Sequence, residues 1–404
     1  MIFSIQTAFY KAIKASMKLG QILIPQPRPT VFSGPGSSIE LAQTLGHLGY
    51  QRVLIVTDPM LPKLGLLDKI TQTLDNAQVG WQIFDGVEPD PSFTIVEQGL
   101  TMTRSYNADA ILAVGGGSSI DTAKVVSVRA TNNKAIAKLA GNLKVRKRGL
   151  PLFAIPTTAG TGSEVTVAAV VSDPQTREKL AIVDPKVIPS AAALDPALMT
   201  GLPASITAAT GMDALTHAVE AYVSTLATEE TDDYARAAVK MIFNNLPKAC
   251  ANGDDLAARG AMATASFYAG LAFSQASLGY VHAIAHHFGA FYHTPHGLAN
   301  AIVLPHILEF SQEAAAPKLA ELAVTIGLGN ASDPDRVLAQ RFVEQVKTLC
   351  RELDIPETLD ALEKKDIPAI VKGALKEAHY QYPVPKYMDA KQCSRLVEQM
   401  LTPA

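Results

Sequence analysis

Cysteine is nearly missing from this 404-residue chain. The three present, Cys250, Cys350 and Cys393, lie too far apart for a CxxC zinc knot or a dense disulfide framework. That suits a reducing compartment, with the cytoplasm as the expected location. Charge is sparse too: 18% of residues are charged against about 25% in average globular chains, and 35 basic against 38 acidic side chains leave a net charge of −3. Such a balance excludes a protein that holds nucleic acid by bulk charge. No run reaches the roughly 18 apolar residues that cross a bilayer, so no membrane partner is expected. Internal repeats and low-complexity tracts are missing as well. What remains, 48% apolar, is a large globular protein with room for two to three domains.

No acidic residue occurs before Glu40, and no arginine before Arg28. Ile5, Phe9, Ile13 and Met17 recur at helical spacing, with Lys11, Lys14 and Lys18 elsewhere around the same helix. The missing arginine argues against a transit peptide while leaving organellar import open. Residues 1–27 are therefore expected to be an amphipathic extension that packs on the body or on a second subunit.

From residue 28 to 203 short aliphatic runs alternate with helical stretches such as 37–48 and 91–106. The runs Val53–Val56, Ala110–Val114, Leu152–Ile155, Val167–Val171 and Leu180–Val183 read as strands, several apolar throughout as if covered on both faces. The expectation is an α/β domain on a parallel sheet. Beyond residue 204 the strands stop, and long Ala- and Leu-rich stretches at 205–225, 232–250, 255–277, 279–291, 298–312, 316–327 and 334–352 predict an all-helical second domain. A ligand site between two such domains is the default expectation.

Neither GxGxxG nor a Walker sequence occurs, yet the run Ala110–Val114 feeds directly into Gly115, Gly116, Gly117, Ser118 and Ser119, then Asp121 and Lys124. Glycines let backbone N–H groups approach an anion, and Ser118 or Ser119 could cap a following helix whose positive end faces a phosphate. A second loop rich in glycine and hydroxyls, Pro156 to Thr166, follows another strand. Asp58 closes the first long strand, where a carboxylate can accept both ribose hydroxyls of an adenosine and repel a 2′-phosphate. Three such features on one domain point to a dinucleotide, NAD rather than NADP.

Five of the nine histidines, His282, His286, His287, His293 and His296, fall within fifteen residues. Upstream, Asp213 and His217 stand at i and i+4, on one face of a helix. His282 and His286 repeat that spacing, and Pro295–Gly297 reads as a turn that presents His296. One carboxylate and three imidazoles suit Fe²⁺ or Zn²⁺ rather than a soft-metal, Ca²⁺ or Mg²⁺ site. No Lys or Arg occurs between Lys186 and Arg236 or between Arg259 and Lys318, so an uncharged substrate is expected.

The stretches GGGSSIDTAK (115–124), PTTAGTGSEVT (156–166), GMDALTHAVEAYVS (211–224) and HAIAHHFGAFYHTPHGLANAIVLP (282–305) resemble the iron-containing (group III) alcohol dehydrogenase family. The resemblance runs from about residue 28 to about 380. It implies a dehydroquinate synthase-like fold, with an N-terminal dinucleotide-binding α/β domain, an all-α C-terminal domain and a cleft between them. Matched position by position, Asp213, His217, His282 and His296 fall on the metal ligands. His286 falls on a histidine close to nicotinamide and substrate. Gly116, Gly117, Ser118, Asp121, Thr157, Thr158, Thr166 and Lys179 fall on cofactor contacts, and Asp58 on the acidic NAD-selecting position. The resemblance further implies Fe²⁺, with Zn²⁺ as the alternative, NAD, a small alcohol or aldehyde substrate, and a homodimer or larger homo-oligomer. Rival readings within the same fold are a polyol dehydrogenase and a lyase of the dehydroquinate synthase type. His287 stands where the family usually has proline, Gln275 where asparagine is frequent, and 382–386 lacks the common Asn-Pro-Arg.

Overall fold

The computed structural model describes residues 2–23, 27–175 and 179–402, with backbone alone at 2–5 and 18–23. Among the described residues no helix is long and apolar enough to cross a membrane. The chain divides into two compact units, one of Pro25–Leu202 with Asp254–Phe267, the other of Met1–Ile24, Pro203–Gly253 and Tyr268–Ala404.

The first unit is built on six parallel strands: β1 (Thr30–Ser33), β2 (Arg52–Val56), β3 (Gly80–Phe84), β4 (Ala110–Gly115), β6 (Leu152–Pro156) and β9 (Ala191–Leu194), in the order β1-β9-β6-β4-β2-β3. Side chains alternate between the two faces. Leu54, Val56, Ile111, Ala113, Leu152 and Ala154 pack with α5 (Phe93–Ser105) and α6 (Gly117–Thr131). Val53, Ile55, Leu112, Val114, Phe153 and Ile155 pack instead with α2 (Ser37–His47) and α4 (Asp68–Asn76). Coverage on both faces is why these strands are apolar throughout. A short helix α3 (Met60–Lys63) follows β2. The chain leaves β2 toward β3 on one side and returns as β4 on the other. The carboxyl ends of β2 and β4 thus flank a reversal of strand order, where open α/β sheets receive ligands.

Two predicted strands do not join this sheet. β7 (Ala168–Ser172) and β8 (Lys179–Val183) pair antiparallel in a separate three-stranded sheet with β5 (Gly141–Asn142). The link between β7 and β8 is too short for the crossover of a dozen or more residues that parallel pairing needs.

The second unit is helical: α7 (Ala204–Val223), α8 (Glu229–Ala251), α10 (Tyr280–Tyr292), α11 (His296–Ser311), α12 (Ala316–Thr325), α13 (Asp335–Glu352), α14 (Ile367–Gln381) and α15 (Ala390–Glu398), with α9 (Leu256–Ala276) belonging partly to each unit. All seven helices expected after residue 204 form within three residues of their predicted ends.

The extension forms helix α1 (Ile2–Leu23), which packs on α14. Its buried stripe is not the predicted one. Phe9 is 57% exposed, whereas Tyr10 is buried with its ring 4.8 Å from His379, 5.3 Å from Tyr380 and 5.7 Å from Tyr387. The aromatic contact turns the helix so that Tyr10, Ile13, Lys14 and Met17 line its inner side, and Lys14 is 5% exposed. Ile5 lies outside the described side chains. Burial lowers the Lys14 ammonium to about 8. The unfolded chain keeps that proton to about 10.5, so the penalty for burying Lys14 is complete below about 8 and fades as pH rises toward 10.5. Lys14→Met should therefore tighten the docking of α1 at neutral pH by about 1–2 kcal/mol. Slower proteolytic removal of α1 is the expected reading; an unchanged rate would show that the ammonium keeps its water.

Candidate metal centre and dinucleotide cradle

Helix α7 carries Asp213, His217 and Glu220 at successive turns of one face, all three buried. Asp213 Oδ1 lies 3.9 Å from His217 Nε2, 3.8 Å from His282 Nε2 and 3.6 Å from His296 Nε2. The four donor atoms all lie within 4.8 Å of one another. A tetrahedral ion with bonds of 2.0–2.2 Å wants its donors about 3.4 Å apart, so small side-chain rotations suffice. One carboxylate oxygen and three imidazole nitrogens fit a divalent transition metal, and no thiolate takes part.

Neighbouring groups fix the rings. Glu220 accepts from the backbone N–H of Gly279 (2.9 Å) and of Val281 (2.7 Å), and its Oε2 lies 2.6 Å from His282 Nδ1. A carboxylate from α7 thereby caps α10 and orients the first histidine on it. Gly279 is required: a Cβ there would come within 2.6 Å of Glu220 Oε1. Burial, reinforced by the nearby His217, His296 and His286, holds the His282 pKa well below its ordinary value, which keeps the ring neutral. With the shared proton on Nδ1, its Nε2 lone pair is free for a cation. His217 stacks between Phe273 (4.2 Å) and His282 (4.6 Å).

His296 comes not from a turn but from the first position of α11, with Pro295 as N-cap. His286 stays outside the four-donor set, its ring stacked 5.5 Å from that of His296. Its Nδ1 is 2.7 Å from Glu377 Oε1, and the Tyr382 hydroxyl donates to the same oxygen (2.6 Å). Burial alone would raise the Glu377 carboxyl; His286 and these hydrogen bonds hold it below the usual value. His287 points elsewhere. Its Nδ1 meets the Ala283 carbonyl, and its ring fills the space where a side chain on Gly373 would stand.

In the α/β unit, Asp58 at the end of β2 accepts from Met60 N–H (2.8 Å). Its other oxygen lies 3.7 Å from where a Cβ on Gly115 would be, beside the glycine turn. Neither Ser118 nor Ser119 caps α6. Gly116 is the N-cap, no side chain bonds the cap, and both serines lie within the first turn. The positive helix end therefore starts at the glycines themselves. A Cβ on Gly117 would lie 2.8 Å from Thr161 Cγ2, so the turn and the 156–166 loop touch. Thr157 donates its N–H to Gly115 O (3.0 Å) and is buried, while Thr158 is half-buried.

Asp121 and Thr166 are engaged inside the protein. Asp121 accepts from the Ser163 hydroxyl and from Val170 N–H (2.9 Å). The fully buried Lys124 donates to the Thr166 hydroxyl (2.9 Å) and carbonyl (2.9 Å) and to Ala168 O (2.6 Å). Both residues thus tie the loop to α6. Lys179 is ion-paired with Asp90 (2.5 Å). Reading from sequence missed Glu220, Asn300, Glu377, Tyr382 and Lys124. Glu220 continues the Asp213–His217 face at i+7, and Asn300 stands at i+4 from His296, so helical spacing was the available signal.

Both units match one family. Residues 27–196 match the profile described as iron-containing alcohol dehydrogenase, and 207–401 that of the Fe-containing alcohol dehydrogenase family, C-terminal. The chain is similar to alcohol dehydrogenase 4 of Saccharomyces cerevisiae, 39% identical over 361 residues, covering 88% of this chain and 93% of the relative. Among solved structures it is similar to a 1,3-propanediol oxidoreductase (TM-score 0.90, 38% identity, 93% and 99% covered). It is also similar to sulfoacetaldehyde reductase from Bifidobacterium kashiwanohense in complex with NAD+ (TM-score 0.85, 27% identity, 93% and 98% covered). These matches define an oxidoreductase that interconverts alcohols and aldehydes with NAD. The chain belongs to the iron-containing alcohol dehydrogenase family.

Proposed function

We propose that this enzyme acts on small, uncharged primary alcohols and their aldehydes, at a divalent cation held by Asp213, His217, His282 and His296. The convergence of those four donor atoms carries the reading. The family favours Fe²⁺, and the same donors accept Zn²⁺. When bound, the cation supplies Lewis acidity toward the substrate oxygen, and NAD takes or gives the hydride.

The chain's own residues do the rest. Glu220 holds the proton at His282 Nδ1. His286, steadied by Glu377, passes the hydroxyl proton between substrate and solvent. Gly115, Gly116, Gly117 and Ser118, with Thr157 and Thr158, receive the pyrophosphate; Asp121 and Thr166 serve by holding the loop in place, and Lys179, ion-paired with Asp90, is a further cofactor contact. Asp58 accepts the ribose hydroxyls. The absence of Lys and Arg from 187–235 and 260–317 supports an uncharged substrate, and the scarcity of cysteine supports a reducing, cytoplasmic setting. A homo-oligomer follows the family resemblance.

The test is growth of the NADH absorbance band on adding short primary alcohols, before and after exhaustive chelation. Loss with chelator and return with Fe²⁺ or Zn²⁺ is expected; a rate indifferent to complete cation removal would refute the reading. Asp58→Gly should narrow the preference for NAD over NADP by roughly 10²-fold, because a carboxylate no longer faces the 2′-phosphate. Ratios of kcat/KM for the two dinucleotides measure it, and an unchanged ratio would free Asp58 from that role.

A further inference from the structure

Asn300 lies one turn after His296 on α11 and is fully buried. Its side-chain amide stands among the donors of the metal centre. Nδ2 is 2.6 Å from Asp213 Oδ1, 3.1 Å from His282 Nε2 and 3.2 Å from His296 Nε2. Three acceptors therefore compete for two amide hydrogens. The amide oxygen, also buried, meets no hydrogen-bond donor among the described residues. One end of the group is over-subscribed and the other is orphaned, which is unusual for a buried amide.

A cation shared by Asp213, His282 and His296 would take the lone pairs that Nδ2 now approaches. It would also repel the positive end of the N–H dipoles and attract the carbonyl end. A half-turn about Cβ–Cγ exchanges Nδ2 and Oδ1 with little change in shape, because the two ends of a carboxamide are nearly the same size. Oxygen donors are acceptable to Fe²⁺ and Zn²⁺ beside imidazole and carboxylate.

We propose that Asn300 is a fifth member of the metal site, an oxygen donor that turns its carbonyl toward the cation. The inference rests on the reading of Asp213, His217, His282 and His296 as the ligands. Its consequence lies in affinity and coordination number rather than in the chemical step.

Zn²⁺ affinity, measured by competition with a chromophoric chelator on the full-length enzyme and its variants, tests the proposal. Asn300→Leu should bind 10- to 100-fold more weakly than wild type. Asn300→Asp, which offers oxygen whichever way it turns, should bind at least as tightly as wild type. The visible spectrum of the Co²⁺-loaded protein gives a second reading, since losing the fifth donor in Asn300→Leu should intensify the bands toward those of a four-coordinate ion. Circular dichroism checks that each variant is folded; if Asn300→Leu is not, Asn300→Asp decides together with the wild-type Co²⁺ spectrum, whose bands should be weaker than those of a four-coordinate ion. If the amide instead serves by donating N–H to Asp213, Asn300→Asp sets two carboxylates against each other and binding weakens at least tenfold, which overturns the proposal. Wild-type affinity in Asn300→Leu overturns it as well. Failure of the wild type to take up Zn²⁺ or Co²⁺ would overturn the metal reading beneath it, and so the two failures are distinguishable.

Discussion

His282→Ala should emerge from purification without its cation and turn over at least about 10³-fold more slowly, equivalent to about 4 kcal/mol of lost transition-state stabilisation. His282 is the ring most tightly built into the centre. Its Nε2 lies 3.8 Å from Asp213, its Nδ1 is held by Glu220, and it is 1% exposed. Removing it deletes one donor and also leaves Glu220 without its imidazole partner. The matched control is His287→Ala. His287 lies in the same cluster in sequence, yet its ring rests in the space beside Gly373. That variant should keep its full metal content and lose activity only as far as packing against α14 is disturbed. Elemental analysis of the two proteins beside initial rates makes the comparison. Full metal occupancy in His282→Ala, or its loss in His287→Ala, would redraw the donor set.

That contrast shows what could and could not be read in advance. Helical spacing announced the Asp213–His217 face and the long helices that carry it, because Ala- and Leu-rich segments have few alternatives to a helix once their buried face is set. The same spacing could not distinguish His286 from His287 by role. His286, the i+4 partner of His282, is directed by what it meets on α14, and its partner Glu377 lies some ninety residues later. Glu377 and Tyr382 were invisible for that reason. Strands covered on both faces declared themselves as apolar runs, whereas β1 and β3, at the edges of the sheet, are partly exposed and carry no such mark. β9 escaped for another reason. Its alanines have low strand propensity, yet small side chains suit a wholly buried position between β1 and β6. Around the glycine turn, chemical character was legible and hydrogen-bond partners were not. Thr166 and Asp121 carry the polarity that a dinucleotide would want, but Lys124 and Ser163 claim it to hold the loop against α6.

His286→Ala, on the reading that this ring moves the substrate proton, should lower kcat by about 10²- to 10³-fold with the cation retained. Retention is expected because His286 is not among the four donors, and its Nδ1 is spent on Glu377 rather than turned toward Asp213. The ring stands 5.5 Å from that of His296 between centroids, close enough to serve a substrate bound at the proposed cation. It also keeps 30% of its side-chain surface open, as a relay to solvent must. Glu377→Gln separates orientation from packing. The amide can still accept from Nδ1–H and from Tyr382, but it no longer stabilises a positive ring. An intermediate drop in kcat with little change in KM is therefore expected, followed by recovery in Glu377→Asp if the shorter carboxylate still reaches. Added imidazole should restore part of the rate to His286→Ala and none to His282→Ala, since a diffusing base can replace a proton carrier more readily than the proposed cation donor, a ring buried at 1% exposure. Loss of metal from His286→Ala would instead move this ring into the coordination set. A rate unchanged by its removal would leave the proton to travel by water alone.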